Sequence, residues 1–140
     1  MVPMDKALNY LALAKRGRLV ELGEEPVGAA ARALHARLVV VAKDASDHTW
    51  RRAKSFVAGT DQLAIRVPFS KDELGQVTGR TELAIAAFTD PAMALAFVKA
   101  LPEQEKYTAE LASLEERTRR VQQRRSEQKA HKRNVRKGKK

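Results

Sequence analysis

The sequence predicts an α/β fold in which helices cover both faces of a central sheet. Three short apolar runs, 38–42, 63–67 and 83–88, are rich in aliphatic and β-branched side chains, which is typical of strands buried on both faces. Amphipathic stretches of helical length lie between these runs. This alternation of strands and helices is the pattern that produces layered α/β/α domains.

The chain begins with a predicted helix and strand. Apolar residues at helical spacing between Leu8 and Lys15 indicate the first helix, with Asp5 favourably placed in its first turn and Gly17 at its end. Arg18–Leu22 follows as a short predicted strand.

The second predicted helix follows Gly23. It opens with Glu24–Val27, where the acidic side chains suit the positive end of the helix dipole and proline is tolerated in a first turn. Good helix formers continue it through Ala29–Leu34.

The third and fourth helices carry cap signals. Asp44 or Ser46 would cap a third helix, and Ser70 with Glu73 forms the reciprocal capping pattern of a fourth that ends near Gly79. The apolar face of the third helix comprises Thr49, Trp50, Ala53, Phe56 and Val57. For Trp50 and Phe56 this spacing favours core packing over base stacking.

Asp90 and Pro91 are a cap and first-turn pair for a helix through Leu101. Its inward stripe is predicted to be Ala94, Phe97, Val98 and Leu101. Because Pro102 disfavours continuation of that helix, we place a domain boundary there: 1–101 is the α/β/α domain, 102–129 a charged helical extension and 130–140 a disordered basic tail.

The extension carries a short heptad-like seam. Its members are Tyr107, Leu111, Leu114, Thr118 and Val121. Two heptads are too few to establish a coiled coil, so we expect a single helix that folds back on the domain.

Charge is distributed unevenly along the chain. Residues 117–140 hold 12 of the 27 Lys and Arg side chains and a single acid, whereas residues 1–116 hold 15 basic and 16 acidic side chains. A near-neutral body with a strongly basic arm indicates a polyanionic partner, most often nucleic acid.

Several classes of protein are disfavoured. The chain has no cysteine, which excludes disulfides and thiol chemistry, and no apolar run long enough for a signal peptide or a membrane span. The three histidines, His35, His48 and His131, lack the spacing of a metal site, and no phosphate loop or hydrolase motif is present. We therefore expect a cytoplasmic protein without cofactor, metal, small-molecule substrate or enzymatic activity.

Five segments in a fixed order carry a resemblance to a known family. They are residues 11–20 (LALAKRGRLV), 23–25 (GEE), 38–46 (LVVVAKDAS), 73–75 with 79–80 (ELG, GR) and 86–90 (AAFTD). This order resembles the kink-turn RNA-binding ribosomal proteins, most closely their small bacterial YlxQ-type members. The resemblance covers roughly residues 5–101 and implies a four-stranded mixed sheet between helical layers, and RNA binding.

The resemblance also implies two RNA-contacting surfaces. One is the start of the second helix, here Gly23, Glu24, Glu25 and Val27, and the other is the loop before the last helix of the domain, here Thr89–Pro91. Backbone N–H groups at a helix start suit the RNA backbone.

The chain departs from the family pattern of Gly, any residue, Asn, Glu, two further residues and Lys. Glu25 occupies the Asn position, Pro26 the Glu position and Ala29 the Lys position. A glutamate can accept a hydrogen bond from a guanine amino group but cannot donate as asparagine does, and the missing lysine removes a phosphate contact.

Further basic residues are candidate RNA contacts. Those at element ends are Lys15, Arg16, Arg18 and Lys43, for which solvated surface charge is an equally good explanation. Those in the tail are Arg119, Arg120, Arg124, Arg125, Lys132, Arg133, Arg136 and Lys137. The density of basic side chains in the tail is higher than solubility requires.

Two functional hypotheses follow. In the first, the protein is a non-catalytic RNA-binding protein related to ribosomal proteins that binds folded, kink-turn-like RNA, most readily ribosomal RNA, while the tail adds phosphate contacts. In the alternative, it is a scaffold with a decayed RNA-reading surface whose 107–121 helix binds a protein partner or a second copy. Besides RNA, we expect the ribosome or assembly factors as partners of this protein.

Overall fold

The computed structural model describes residues 5–138, with side chains described as far as Lys132. Its helices are α1 (Lys6–Arg16), α2 (Glu24–Arg32), α3 (Asp47–Val57), α4 (Lys71–Thr78), α5 (Pro91–Lys99) and α6 (Thr108–Gly138), with a 3₁₀ turn at Gln104–Tyr107. Its strands are β1 (Val20–Leu22), β2 (Leu38–Val41), β3 (Leu63–Arg66) and β4 (Ile85–Phe88). The predicted α/β class is confirmed, as is the four-stranded mixed sheet that the resemblance implies.

The strand order is β1-β4-β2-β3. β4 is antiparallel to both of its neighbours, whereas β2 and β3 are parallel. The carboxyl ends of β1, β2 and β3 therefore share one edge of the sheet with the start of β4. We call this the α-start edge, because α2, α3 and α4 all begin there.

Helices pack on both faces of the sheet. α2 and α3 contact each other and the strands, while α1, α4, α5 and α6 contact one another in a separate group that reaches β1 and β4. All four residues of β2 are completely buried, as the continuous apolar run predicts. The rings of Phe88 and Phe97 pack in a tilted arrangement, 4.9 Å between centroids, and join β4 to α5.

The predicted helix caps are present. Ser46, rather than Asp44, caps α3 by accepting a hydrogen bond from Thr49 N–H, and Ser70 with Glu73 forms a complete capping box on α4. Asp90 caps α5 through Met93 N–H at 2.9 Å.

The first predicted strand is shorter than expected. Arg18 has φ 59°, a left-handed conformation, and its N–H donates to the carbonyl of Lys15 as part of the α1 terminus. Strand β1 therefore starts at Val20 rather than at Arg18. Gly17 ends α1 as predicted, but with a negative φ of −84°.

One buried amide fastens the turn before β3. The Gln62 side chain accepts from Ala36 N–H at 2.9 Å and donates to the Ala31 carbonyl at 3.1 Å. It thereby ties the start of β3 to the end of α2 and the start of β2.

The C-terminal helix folds back on the domain, as expected. Tyr107, Leu114 and Thr118 are buried, and α6 packs along α5. Burial raises the pKa of Tyr107, whose hydroxyl donates to the Arg66 carbonyl at 3.3 Å. Residues beyond Pro102 thus contribute to the same core as residues 1–101.

The helical region also extends further than predicted. We expected α6 to end near Lys129, but its backbone continues to Gly138. Arg, Lys, Gln and Ala are good helix formers, and residues 108–137 contain neither proline nor glycine. Among residues 5–138, no helix has the length and apolarity needed to cross a membrane.

Candidate nucleic-acid interface

The start of α2 is an open helix terminus at the α-start edge. Gly23 has φ 95° and ψ 160°, and its N–H donates to the Ile85 carbonyl at 3.0 Å, which fixes the chain where it leaves β1. Gly23 has no side chain with which to cap α2, whereas α1, α3, α4 and α5 are capped by Asp5, Ser46, Ser70 and Asp90. Since the first N–H groups of a helix lack intrahelical partners, Glu24 and Glu25 present backbone donors here.

The loop between α4 and β4, which carries Arg80 and Glu82, borders this helix start. The Arg80 guanidinium lies 3.5 Å from the Leu22 carbonyl and 3.4 Å from where a Cβ on Gly23 would sit. The loop is held tightly, because a Cβ on Gly75 would lie 2.7 Å from the Arg80 carbonyl oxygen. The Lys15 ammonium approaches the same loop, 3.3 Å from the Cβ position of Gly79.

The two glutamates at the α2 start have different environments. Glu24 is neutralised by Arg52, whose Nε lies 2.6 Å from its carboxylate. Glu25 is exposed and able to accept a hydrogen bond from a bound molecule. Val27 is completely buried in the core, so its side chain is not available to a ligand, and an RNA contact at this position is left to its backbone as a prediction. The helical period turns this residue inward, toward the sheet.

The Thr89–Pro91 loop does not lie beside the α2 start. Thr89 N–H donates to the Leu19 carbonyl at the opposite end of the sheet, whereas Gly23 N–H bonds to Ile85 at the start of β4. Four residues of extended strand separate these points by about 13 Å. The two predicted RNA surfaces are therefore not one continuous patch, because β4 runs antiparallel to β1. Asp90 is occupied as the α5 cap, and Pro91 is buried.

The other basic candidates lie around the body. Arg16 and Arg18 are exposed at the α1 terminus, and Lys43 is exposed after β2 at the α-start edge. Trp50 and Phe56 are partly buried against the core, consistent with the packing expected of them. The Trp50 ring is additionally covered by the Arg66 guanidinium at 5.4 Å.

The tail candidates occupy one exposed helix. Arg119, Arg120, Arg124, Arg125 and Lys132 are all exposed on α6. Arg120 pairs with Glu116 at 2.5 Å, one turn earlier. The side chains of Arg133, Arg136 and Lys137 lie outside the described residues. Within residues 5–132 no cluster of His, Cys, Asp or Glu has the arrangement of a metal site.

The structure adds one residue that sequence reasoning did not select. Arg80 belongs to a segment that carries the family resemblance, but only the fold places it against Gly23, 57 positions earlier in the chain. The Gly79–Arg80 pair was the available sequence signal. What the arrangement can do chemically is bind an anion or a polar base edge with backbone donors and guanidinium groups.

No protein-family model matches the sequence, and comparison with curated proteins finds no match. Among solved structures, the fold is similar to that of a protein of unknown function from Bacillus halodurans, with a TM-score of 0.65 and 25% identity over 71% of this chain and 99% of that one. It is also similar to the 15.5 kD RNA binding protein of Giardia lamblia, with a TM-score of 0.58 and 15% identity over 72% of this chain and 86% of that one.

Proposed function

We propose that the chain is a non-catalytic, cytoplasmic RNA-binding protein related to YlxQ-type ribosomal proteins. It docks a folded RNA of kink-turn-like shape, most readily in ribosomal RNA. The docking surface is the α2 start together with the α4–β4 loop, and the basic helix α6 adds phosphate contacts.

The observation that carries this proposal is the uncapped α2 start beside Arg80, with Lys15 against the neighbouring Gly79. Backbone donors and the Arg80 guanidinium meet there, next to the end of β1. The Giardia lamblia neighbour, which shares this fold, is an RNA-binding protein by its own description. At 15% identity that likeness supports RNA as the ligand class and leaves the particular RNA to experiment.

Each group has a definite role in this proposal. The N–H groups of Glu24 and Glu25 face RNA phosphate or a base edge, and the Glu25 carboxylate accepts from a guanine amino group. Arg80 offers a planar fork that matches phosphate or a guanine edge. Arg52 holds the Glu24 charge in an ion pair and so reduces its repulsion of phosphate.

The scaffold alternative depends on the apolar seam of residues 107–121. Its central members, Leu114 and Thr118, are buried against α5 within the same chain. A partner helix would have to displace these intramolecular contacts. The burial of the seam therefore argues against self-pairing through residues 107–121.

Restoring the family pattern tests the proposed site. The triple variant Glu25→Asn, Pro26→Glu, Ala29→Lys changes three exposed positions on α2. We expect it to bind a kink-turn RNA roughly tenfold more tightly, because it regains an amide donor and a phosphate contact. Electrophoretic mobility shift against a straight duplex of equal length measures the effect.

A control variant carries one additional lysine elsewhere, Gln76→Lys, on the exposed face of α4. The proposal expects this control to raise affinity for both RNAs alike. If the triple variant also gains equally for both RNAs, the α2 start does not read RNA shape.

A further inference from the structure

A second basic site lies at the opposite end of the sheet from the α2 start. The cleft has a volume of about 490 Å³ and is formed by the loop after α2, the turn after α3, the start of α5 and one face of α6. Four arginines line it, Arg37, Arg117, Arg120 and Arg124, against one acid, Asp61. We refer to it as the arginine cleft.

Helical geometry aligns the α6 side of this cleft. Arg117, Arg120, Val121 and Arg124 follow the i, i+3, i+4, i+7 spacing of a single helix face. Because Tyr107 and Leu114 fix the beginning of α6 in the core, this face is held against the body rather than projecting into solvent. The exposed α6 arginines 119 and 125 do not line the cleft.

One of the four guanidinium groups, that of Arg37, is not fully satisfied within the part of the protein that the structure describes, whereas Arg120 pairs with Glu116. Arg117 donates to the Asp61 carbonyl, yet the buried Nε of Arg37 has no hydrogen-bond partner among the residues that the structure describes. Burial lowers the pKa of Arg117; the Asp61 charge opposes this shift, while Arg37 and Arg120 add to it. Cations held this close together favour an anion between them.

We infer that the arginine cleft is a second phosphate-binding site, which holds the backbone of a segment of RNA outside the one docked at the α2 start. This inference rests on the proposed function. Through Arg124 the cleft adjoins a shallow groove further along α6 that ends at Lys132, and the distance from Arg117 to Lys132 is about 22 Å along the helix. That length matches several consecutive phosphates and exceeds what a single small anion requires.

The chemistry favours phosphodiester over free base. Arginine forks bind phosphate oxygens in a bidentate manner, and the described lining offers Asp61 as its single carboxylate for base recognition. The contacts would therefore be independent of sequence and sensitive to salt. With one site at each end of the sheet, the body would be held by RNA at two places.

A charge-matched pair of double variants tests the inference. Arg120→Ala with Arg124→Ala removes two charges from the cleft, and Arg119→Ala with Arg125→Ala removes two from other positions on the same helix. The full chain is titrated with a labelled kink-turn RNA bearing duplex arms, by fluorescence anisotropy between about 50 and 200 mM salt. Circular dichroism checks that alanine preserves the helix in both variants.

The cleft variant is expected to lose roughly tenfold in affinity and to flatten the salt slope by about 1.5, as expected for two lost phosphate contacts. The control should lose much less. If the two variants lose RNA affinity equally, the arginine cleft is not a phosphate-binding site, and the proposed function is unaffected. Wild-type protein that binds no RNA overturns both.

A competition experiment with poly-glutamate distinguishes an acidic polypeptide from RNA as the occupant of the cleft. If the cleft variant loses poly-glutamate binding while its RNA affinity equals that of the control, the cleft is a protein-docking site and the inference is wrong. If RNA binding is lost selectively and poly-glutamate competes weakly, the inference holds.

Discussion

Two helix ends use side-chain-bearing residues where glycine is usual. Arg18 and Leu34 have φ near +60° and lie two residues beyond the ends of α1 and α2. In α2 the N–H of Leu34 donates to Ala31 and the N–H of His35 to Ala30, the two hydrogen bonds of a Schellman motif. The left-handed conformation costs a non-glycine residue about 1–2 kcal/mol.

We therefore predict that Leu34→Gly stabilises the protein by about 0.5–1 kcal/mol, because relief of this strain exceeds the extra chain entropy of glycine. The side chain lost is 57% exposed, so little packing is sacrificed. The matched control is Leu13→Gly, since Leu13 is 45% exposed but lies inside α1. In urea unfolding, the free energy of unfolding should increase in Leu34→Gly and decrease in Leu13→Gly. Destabilisation by both variants would contradict the prediction.

Gly75 has a steric role at the α4–β4 loop. A Cβ there would lie 2.7 Å from the Arg80 carbonyl oxygen and 2.9 Å from that of Thr81, both backbone atoms. We predict that Gly75→Ala destabilises the protein by about 1–3 kcal/mol and displaces Arg80 from the α2 start. The denaturant concentration at the midpoint of unfolding and the affinity for RNA should both decrease.

Gly17→Ala is the control for Gly75→Ala. Its φ is −84° and its new Cβ would lie 3.4 Å from the nearest atom, the Leu13 carbonyl oxygen. A near-neutral effect on stability is expected. Similar destabilisation by both substitutions would show that close approach at Gly75 is not the cause.

At the scale of elements, α6 combines two properties in one helix. Its beginning belongs to the core through Leu114 and Thr118, and its continuation presents basic side chains to solvent. The preceding turn is held by Gln104, whose amide donates to the Val98 carbonyl at 2.8 Å at the end of α5. The basic helix is thus anchored to the body rather than attached by a flexible linker.

The anchor predicts a loss of both stability and RNA affinity on Leu114→Ala. Removal of this completely buried side chain should lower the free energy of unfolding by about 2–5 kcal/mol. Because the arginine cleft needs α6 in place, the salt slope of RNA binding should flatten as well. The control Leu13→Ala removes a partly exposed leucine from α1 and should have a small effect on stability. Unchanged stability in Leu114→Ala would show that Leu114 does not anchor α6 to the core.

At the scale of the whole molecule, local sequence signals predicted the elements well. The β2 run, the α4 capping box and the Asp90-Pro91 start of α5 are all present, because each depends on neighbouring residues. Strand order has a different origin. The antiparallel direction of β4 places Thr89 away from Gly23 and brings Arg80 to it, and no local pattern encodes that direction.

The same limit explains why the arginine cleft was not predicted. Arg37 and Arg117 are separated by 80 positions and are brought together by the folding back of α6. In the sequence, Arg117 appears as one of many basic tail residues. Its burial, and its hydrogen bond to Asp61, depend on tertiary packing.

The central claim is that the body recognises RNA shape through the α2 start and Arg80. The most direct test is the ratio of affinities for a kink-turn RNA and a straight duplex of equal length, measured for the full chain and for Arg80→Ala. Arg32→Ala is the control, because it removes the same charge at the other end of α2. We predict a ratio of roughly ten or more for the wild type and the control, and a ratio near one for Arg80→Ala. Equal affinity of the wild type for both RNAs, or an unchanged ratio in Arg80→Ala, would contradict the account.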